Sequence, residues 1–326
     1  MIVNSDERQW TWMDEGLNTF VQYVAERDFA KLYPDALAEG DTDFPARRGP
    51  AHKIVPYMSA DQDYLAPIMS KGLNTYQFGN NAYAKPATGL NMLRETIMGR
   101  ELFDYAFKEY ANRWKFKHPT PEDFFRTMED ASAMDLDWFW RGWFYTTDYT
   151  DIGIKEVKKM YVTDAPKNIV ENIASRNGMK VEDLPPLVYM VEEGSEEFTE
   201  ALKNKSTLEN APTLNEYLMD NFTAQERKNI KSPKYIYNVT FNKPGGLVMP
   251  IIVEYQYADG TLKRETYPAE IWRHNDNEVS KSIASEKEIV SIKVDPDLET
   301  ADIDTTNNSW PKEVKQSMFD KFKSKN

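Results

Sequence analysis

The sequence contains no cysteine, which excludes disulfides, iron–sulfur ligation, thiol catalysis and zinc knuckles. Histidine is scarce. His52, His118 and His274 are the only three, and no two stand at i and i+4, so no helical histidine pair for a metal is legible. No apolar run approaches the length of a membrane-spanning helix. Basic charge is also short, since 40 Lys and Arg against 53 Asp and Glu leave a net charge of −13. Such a surface repels polyanions and speaks against nucleic acid or anionic membranes as partners. No Gly-rich phosphate loop and no Ser/His/Asp arrangement presents itself. What is there is a globular composition: 40% hydrophobic and 13% aromatic, with eight Trp, in 326 residues. That length suffices for one large or two ordinary domains.

Residues 1–150 read as helical. From Met13, the apolar positions Leu17, Phe20, Val21, Val24 and Leu32 recur at helical spacing, with Glu15, Thr19, Gln22 and Glu26 on the opposite side. Residues 34–82 are broken by Pro and Gly and read as loops and short helices. Three helices are then expected over Pro86–Met98, Arg100–Phe116 and Pro121–Ala133, the last with Thr120 as cap and Pro121 in its first turn. A fourth, around Asp135–Tyr145, carries Trp138, Phe139, Trp140, Trp143 and Phe144. Aromatics at that density predict a core between helices.

After Thr150 the pattern changes. Ile152–Val162 alternates weakly, as a strand would. Residues 165–233 are charge-rich, with helical stretches near Asn168–Ser175 and Leu214–Lys231. From Tyr235 the signal is β: Tyr235–Phe241, Val248–Tyr257 running into an Asp259-Gly260 turn, Leu262–Trp272 and Ile289–Val294. The tail from Lys312 reads as helical. Asp295, Asp297, Asp302 and Asp304 lack the glycine and terminal glutamate of a calcium loop, so a solvated acidic loop is expected there.

Two segments carry possible chemistry. Trp12-Met-Asp-Glu15-Gly16 opens the first helix, and Asn80-Asn81-Ala82-Tyr83-Ala84-Lys85-Pro86 leads into a later one. In this order they resemble the Trp-x-x-Glu-Gly and Tyr-x-Lys-Gly motifs of the M1 family of zinc aminopeptidases. Pro86 stands where that family usually has glycine, a change compatible with the first turn of a helix. The aromatic stretch Leu136–Phe144 resembles the helix that closes the family's catalytic domain. Residues 237–272, with Lys243-Pro-Gly-Gly, resemble the first hairpins of the β-sandwich that follows. Val294-Asp-Pro-Asp and Asn307-Asn-Ser-Trp310 resemble that sandwich's end.

The resemblance implies an α+β multidomain architecture: the helical half of a thermolysin-like catalytic domain over residues 1–150, then a β-sandwich-type domain over 151–326 with a helical insertion at about 165–233. It implies Glu15 as a zinc ligand and Tyr83 as the donor to the oxyanion formed at the attacked carbonyl. The partner would be a peptide substrate, cleaved behind its N-terminal residue by zinc-activated water. The family's His-Glu-x-x-His helix, which supplies the other two zinc ligands and the base, would lie ahead of Met1. The chain alone is therefore expected to be inactive. A non-catalytic binding or scaffold protein with a degenerate, metal-free peptidase fold is the alternative. A related glutamate-zinc peptidase outside M1 would share the Glu-Gly segment and lack the tyrosine motif and the sandwich.

Overall fold

The computed structural model describes residues 2–36, 48–72, 75–184, 187–203, 212–229 and 235–312. Helix α1 spans Trp12–Leu32 and buries Trp12, Met13, Gly16, Leu17, Thr19, Phe20 and Tyr23. The stripe expected from its sequence is therefore rotated. Thr19 is buried, while Val21 and Leu32 are 48% and 71% exposed. Tertiary neighbours, not side-chain polarity alone, decide which face of a helix is covered. Short helices follow at Pro34–Ala36, α2 (Ala51–Met58) and Gln62–Tyr64. The next helical stretch is composite: a π-helical turn over Gly79–Ala84, α3 over Lys85–Met92, and a second π turn over Leu93–Ile97.

Gly99, at φ 82°, breaks the chain before α4 (Arg100–Trp114). Helix α5 (Pro121–Ser132) starts at the expected cap. The Thr120 side chain accepts from the Asp123 N–H while the Asp123 carboxylate accepts from the Thr120 N–H, with Pro121 in the first turn. Helix α6 (Asp137–Tyr145) buries Phe139, Trp140, Trp143 and Phe144. Trp12 lies stacked on Phe125 at 5.8 Å and tilted against Phe144 at 4.7 Å. The expected aromatic core between helices is thus present, and the first residue of α1 sits inside it.

Two four-stranded antiparallel sheets follow, in the orders β2-β1-β3-β6 and β5-β4-β7-β8. The strands are β1 (Gly153–Asp164), β2 (Val188–Glu192), β3 (Tyr235–Asn242), β4 (Ile251–Tyr257), β5 (Leu262–Tyr267), β6 (Glu278–Ser285), β7 (Ile289–Val294) and β8 (Ser309–Trp310). Alternation on β3 buries Tyr237, Val239 and Phe241. The Tyr237 hydroxyl accepts from the Ile289 N–H at 2.9 Å and reaches the Ile289 carbonyl at 3.4 Å, tying the first sheet to β7 of the second. The Asp259-Gly260 turn forms as expected between β4 and β5.

Four expectations need correction. The segment 165–233 is not purely helical: β2 lies within it and pairs with β1, beside helices at Lys167–Asn177, Glu196–Lys203, Pro212–Asn221 and Ala224–Asn229. Strand β5 ends at Tyr267 rather than Trp272, because Pro268 has no N–H to continue a ladder and starts a 3-10 turn. Strand β6 was not expected. Finally, the acidic run is only partly solvated, since Asp295 and Asp302 are buried. The helix expected from Lys312 lies outside the described residues.

Both buried aspartates bind backbone amides. Asp295 accepts from the Glu299 and Thr300 N–H groups at 2.7 and 3.0 Å. Asp302 accepts from Ile152 and Asp304 N–H and from Asn308 Nδ2. Asp302 thereby fastens the connection between α6 and β1, where Thr150 also bridges to it through the backbone. Burial pushes its carboxyl up to about 7. A carboxyl whose folded pKa is raised adds stability below its unfolded pKa and loses it as pH rises through the folded value. The native chain should lose stability between about pH 4 and pH 7 at this group, with a slope of at most ~1.4 kcal/mol per pH unit. Asp302→Asn should unfold at lower urea than native at pH 5, because one acceptor oxygen is gone, and the gap should shrink or reverse by pH 8. Urea melts across that range check it; a gap independent of pH would contradict the buried acid.

Candidate active site

The site is assembled where α1 crosses the composite helix of residues 79–97. The crossing is unusually close. A β-carbon on Gly16 would lie 2.6 and 2.7 Å from Cγ and Cβ of Pro86 and 3.2 Å from the Ala82 carbonyl oxygen. Only the absence of that carbon lets the two backbones meet. Trp12 anchors the start of α1 in the aromatic core, Gly16 sets the distance, and Glu15 between them turns toward the π turn of residues 79–84. There the Glu15 carboxylate lies near enough to Tyr83 to act on its phenol. The two residues singled out in sequence, 68 positions apart, are thus brought together. Both are half-buried.

Pro86 does not disturb this arrangement. It sits in the first turn of α3, where a missing N–H is tolerated. The turn that carries Tyr83 is fixed from behind by Asn81, which is buried and donates to the Ala66 carbonyl at 2.7 Å. From the other side α6 holds α3. The Trp143 indole N–H donates to the Lys85 carbonyl at 3.0 Å, and a β-carbon on Gly89 would lie 2.2 Å from the same indole nitrogen. Lys85 itself is buried. Its ammonium lies 5.6 Å from the Trp143 ring and donates to the Thr146 carbonyl at 3.3 Å. Burial pushes that ammonium down to about 8, against the nearby Asp148 charge. Lys85 therefore works as a strut between α3 and the end of α6.

The nearby Glu15 carboxylate raises the Tyr83 phenol above its ordinary pKa, burial adds to this, and Arg48 opposes it. The phenol accordingly keeps its proton at neutral pH and remains a donor. The Arg48 guanidinium stands over the Tyr83 ring at 4.9 Å from its centroid, and Phe78 meets the ring edge-on at 6.1 Å. Sequence reasoning did not single out Arg48, because a loop arginine 35 positions before Tyr83 has no periodic or spacing signal. On the acidic side, the neighbouring Asp14 carboxylate raises the Glu7 carboxyl. The three histidines are exposed and remote in role; His118 Nδ1 bonds the Asn4 carbonyl oxygen at 2.8 Å. Among the described residues, no group of three or more His, Asp or Glu side chains converges as metal ligands would. None of the described helices is long and apolar enough to cross a membrane.

No curated protein sequence matches the chain. Among solved structures, that of Legionella pneumophila aminopeptidase A in complex with aspartic acid is similar, with 13% identity and a TM-score of 0.46 over 92% of this chain. The chain spans 24% of that protein's length. Residues 2–143 match the peptidase family M1 domain. That match takes in fewer than half of the 326 residues, and over it the chain is similar to peptidase family M1.

Proposed function

We propose that the chain carries one wall of the catalytic centre of a zinc aminopeptidase, with Tyr83 as oxyanion donor and Glu15 as a metal ligand. In this reading residues 1–150 are the helical half of a thermolysin-like catalytic domain, and residues 151–326 are a β-sandwich with an insertion at about 165–233. The observation that carries it is the meeting of Glu15 and Tyr83 at the α1–α3 crossing. A phenol kept protonated beside a carboxylate can donate to an oxygen on which negative charge builds, and a donor placed for that purpose stabilises the transition state more than the ground state.

The donors described do not fit a complete zinc site. A catalytic zinc takes three protein ligands and leaves a position open, whereas Glu15 is one carboxylate with no converging partners among the described residues. The 326-residue sequence contains no His-Glu-x-x-His. Zinc, when held by Glu15 together with such a helix, would supply the activated water.

The test has two arms. The 326-residue chain by itself should purify with far less than one zinc per molecule and release no product from aminoacyl anilides. A protein that joins these residues to a His-Glu-x-x-His helix should bind one zinc and cleave those anilides, and a chelator should stop it. Stoichiometric zinc without hydrolysis in the joined protein would end the peptidase reading.

A further inference from the structure

We propose that the Arg48 guanidinium, which lies over the Tyr83 ring, receives a carboxylate of the peptide substrate; this deepens the peptidase reading and rests on it for its substrate class. The argument begins with the backbone. Arg48 precedes Gly49, and Gly49 is clamped. A β-carbon there would lie 2.6 Å from the Tyr23 ring of α1, and its carbonyl accepts from Asn91 Nδ2 of α3 at 3.1 Å. Arg48 thus leaves the chain from a point fixed to both helices that build the site. Its side chain then lies over Tyr83 at 4.9 Å, with Nη2 3.8 Å from where a β-carbon of Gly79 would be.

The guanidinium carbon lies 4.9 Å from the ring centroid, and no hydrogen bond to a described residue engages its N–H groups. Those groups form a fork that matches a carboxylate with two parallel hydrogen bonds. Among the described residues no carboxylate forms an ion pair with Arg48. Arg27, Arg94, Arg100, Arg113, Arg264 and Arg273 all have one. In a chain with 53 acidic and 40 basic residues, a guanidinium beside Tyr83 that no described carboxylate engages is open to one brought by a ligand. Asp14, Glu15 and Arg48 all act electrostatically on the Tyr83 phenol. The site therefore has two signs, with carboxylates on one side of the tyrosine and a cation over its ring. That polarity suits a peptide with an amine at one end and a carboxylate within reach. The carboxylate could belong to an acidic side chain or to the C-terminus of a dipeptide.

The experiment separates those sources and does not depend on activity alone. In the zinc-loaded joined protein, kcat and KM are measured for aspartyl, glutamyl and leucyl anilides and for Ala-Ala against its C-terminal amide. Arg48→Gln should lower kcat/KM at least tenfold more on whichever carboxylate substrate uses the fork than on the leucyl anilide and the amide, the difference lying mainly in KM. Arg48→Lys should recover part of the loss, since it restores charge without the fork. In parallel, the Arg48 Nε–Hε resonance of the 326-residue chain, assigned by its loss in Arg48→Gln, is followed during titration with aspartyl amide, Ala-Ala and the Ala-Ala amide. It should move with at least one of the first two and not with the last. Equal losses on charged and neutral substrates, or a resonance that ignores carboxylates or follows the amide equally, would overturn the proposal. If no substrate is cleaved at all, the peptidase reading falls and the resonance titration alone decides the role of Arg48.

Discussion

Replacing Tyr83 by Phe in the zinc-loaded joined protein should lower kcat by roughly a hundredfold or more while leaving KM and the melting temperature nearly unchanged. The substitution removes one hydroxyl and keeps the ring, so the contacts with Arg48 and Phe78 remain available. The hydroxyl itself lies near the Glu15 carboxylate of the neighbouring helix, which acts on its phenol. Glu15→Gln should separate from it cleanly. A neutral amide is a poorer metal ligand, so zinc content should fall before the chemistry of metal-loaded enzyme does. A Tyr83→Phe protein with near-native turnover would show that the hydroxyl only decorates the helix crossing.

A second large effect is expected from a residue with no functional group. In Gly16→Ala the added carbon meets the Pro86 ring at 2.6 Å, and a pyrrolidine in the first turn of a helix cannot swing aside. Helix propensity alone would favour alanine by about 1 kcal/mol. Overpacking of this kind costs about 1–3 kcal/mol, so the clash outweighs the gain and the melting temperature should fall. The larger consequence is geometric. Ordinary carbon contacts need α1 and α3 to part by roughly 1 Å, which moves Glu15 from Tyr83. Displacements of about 1 Å in a reacting constellation can cost on the order of a hundredfold in rate. Gly16→Ala should therefore lower activity by at least roughly tenfold. Adding Pro86→Gly should recover part of it, because the two residues share one contact. Independent, additive losses in the double variant would mean that the crossing does not set the site.

The sequence by itself determined a good deal. Local signals placed the Thr120 cap and Pro121 start of α5, the aromatic face of α6, the alternating strand β3, the Asp259-Gly260 hairpin and strand β7, because each is written in neighbouring residues: a cap and its partner, a period of two, a turn dipeptide. The motif resemblance also singles out Glu15 and Tyr83. It missed β2 and β6, which are the two edge strands of the first sheet. Edge strands need only one ladder and half a buried face, so Glu278–Ser285, with polar residues at most positions, carries no clear strand pattern. The solvated loop expected at Asp295 and Asp302 failed for a related reason: whether a carboxylate is buried depends on which distant amides reach it, here Ile152 for Asp302.

Only the tertiary structure decided that Val21 and Leu32 face outward while Thr19 faces in, since the choice lies with the partners of α1. It alone brought Glu15 to Tyr83, through a glycine whose value is the space it leaves for Pro86. It alone laid Arg48 over the tyrosine ring, by clamping Gly49 between two helices that are distant in sequence. Sequence fixes what each residue can do chemically and locally. Which of them meet is set by close packing between elements many residues apart, where a single missing β-carbon decides the distance.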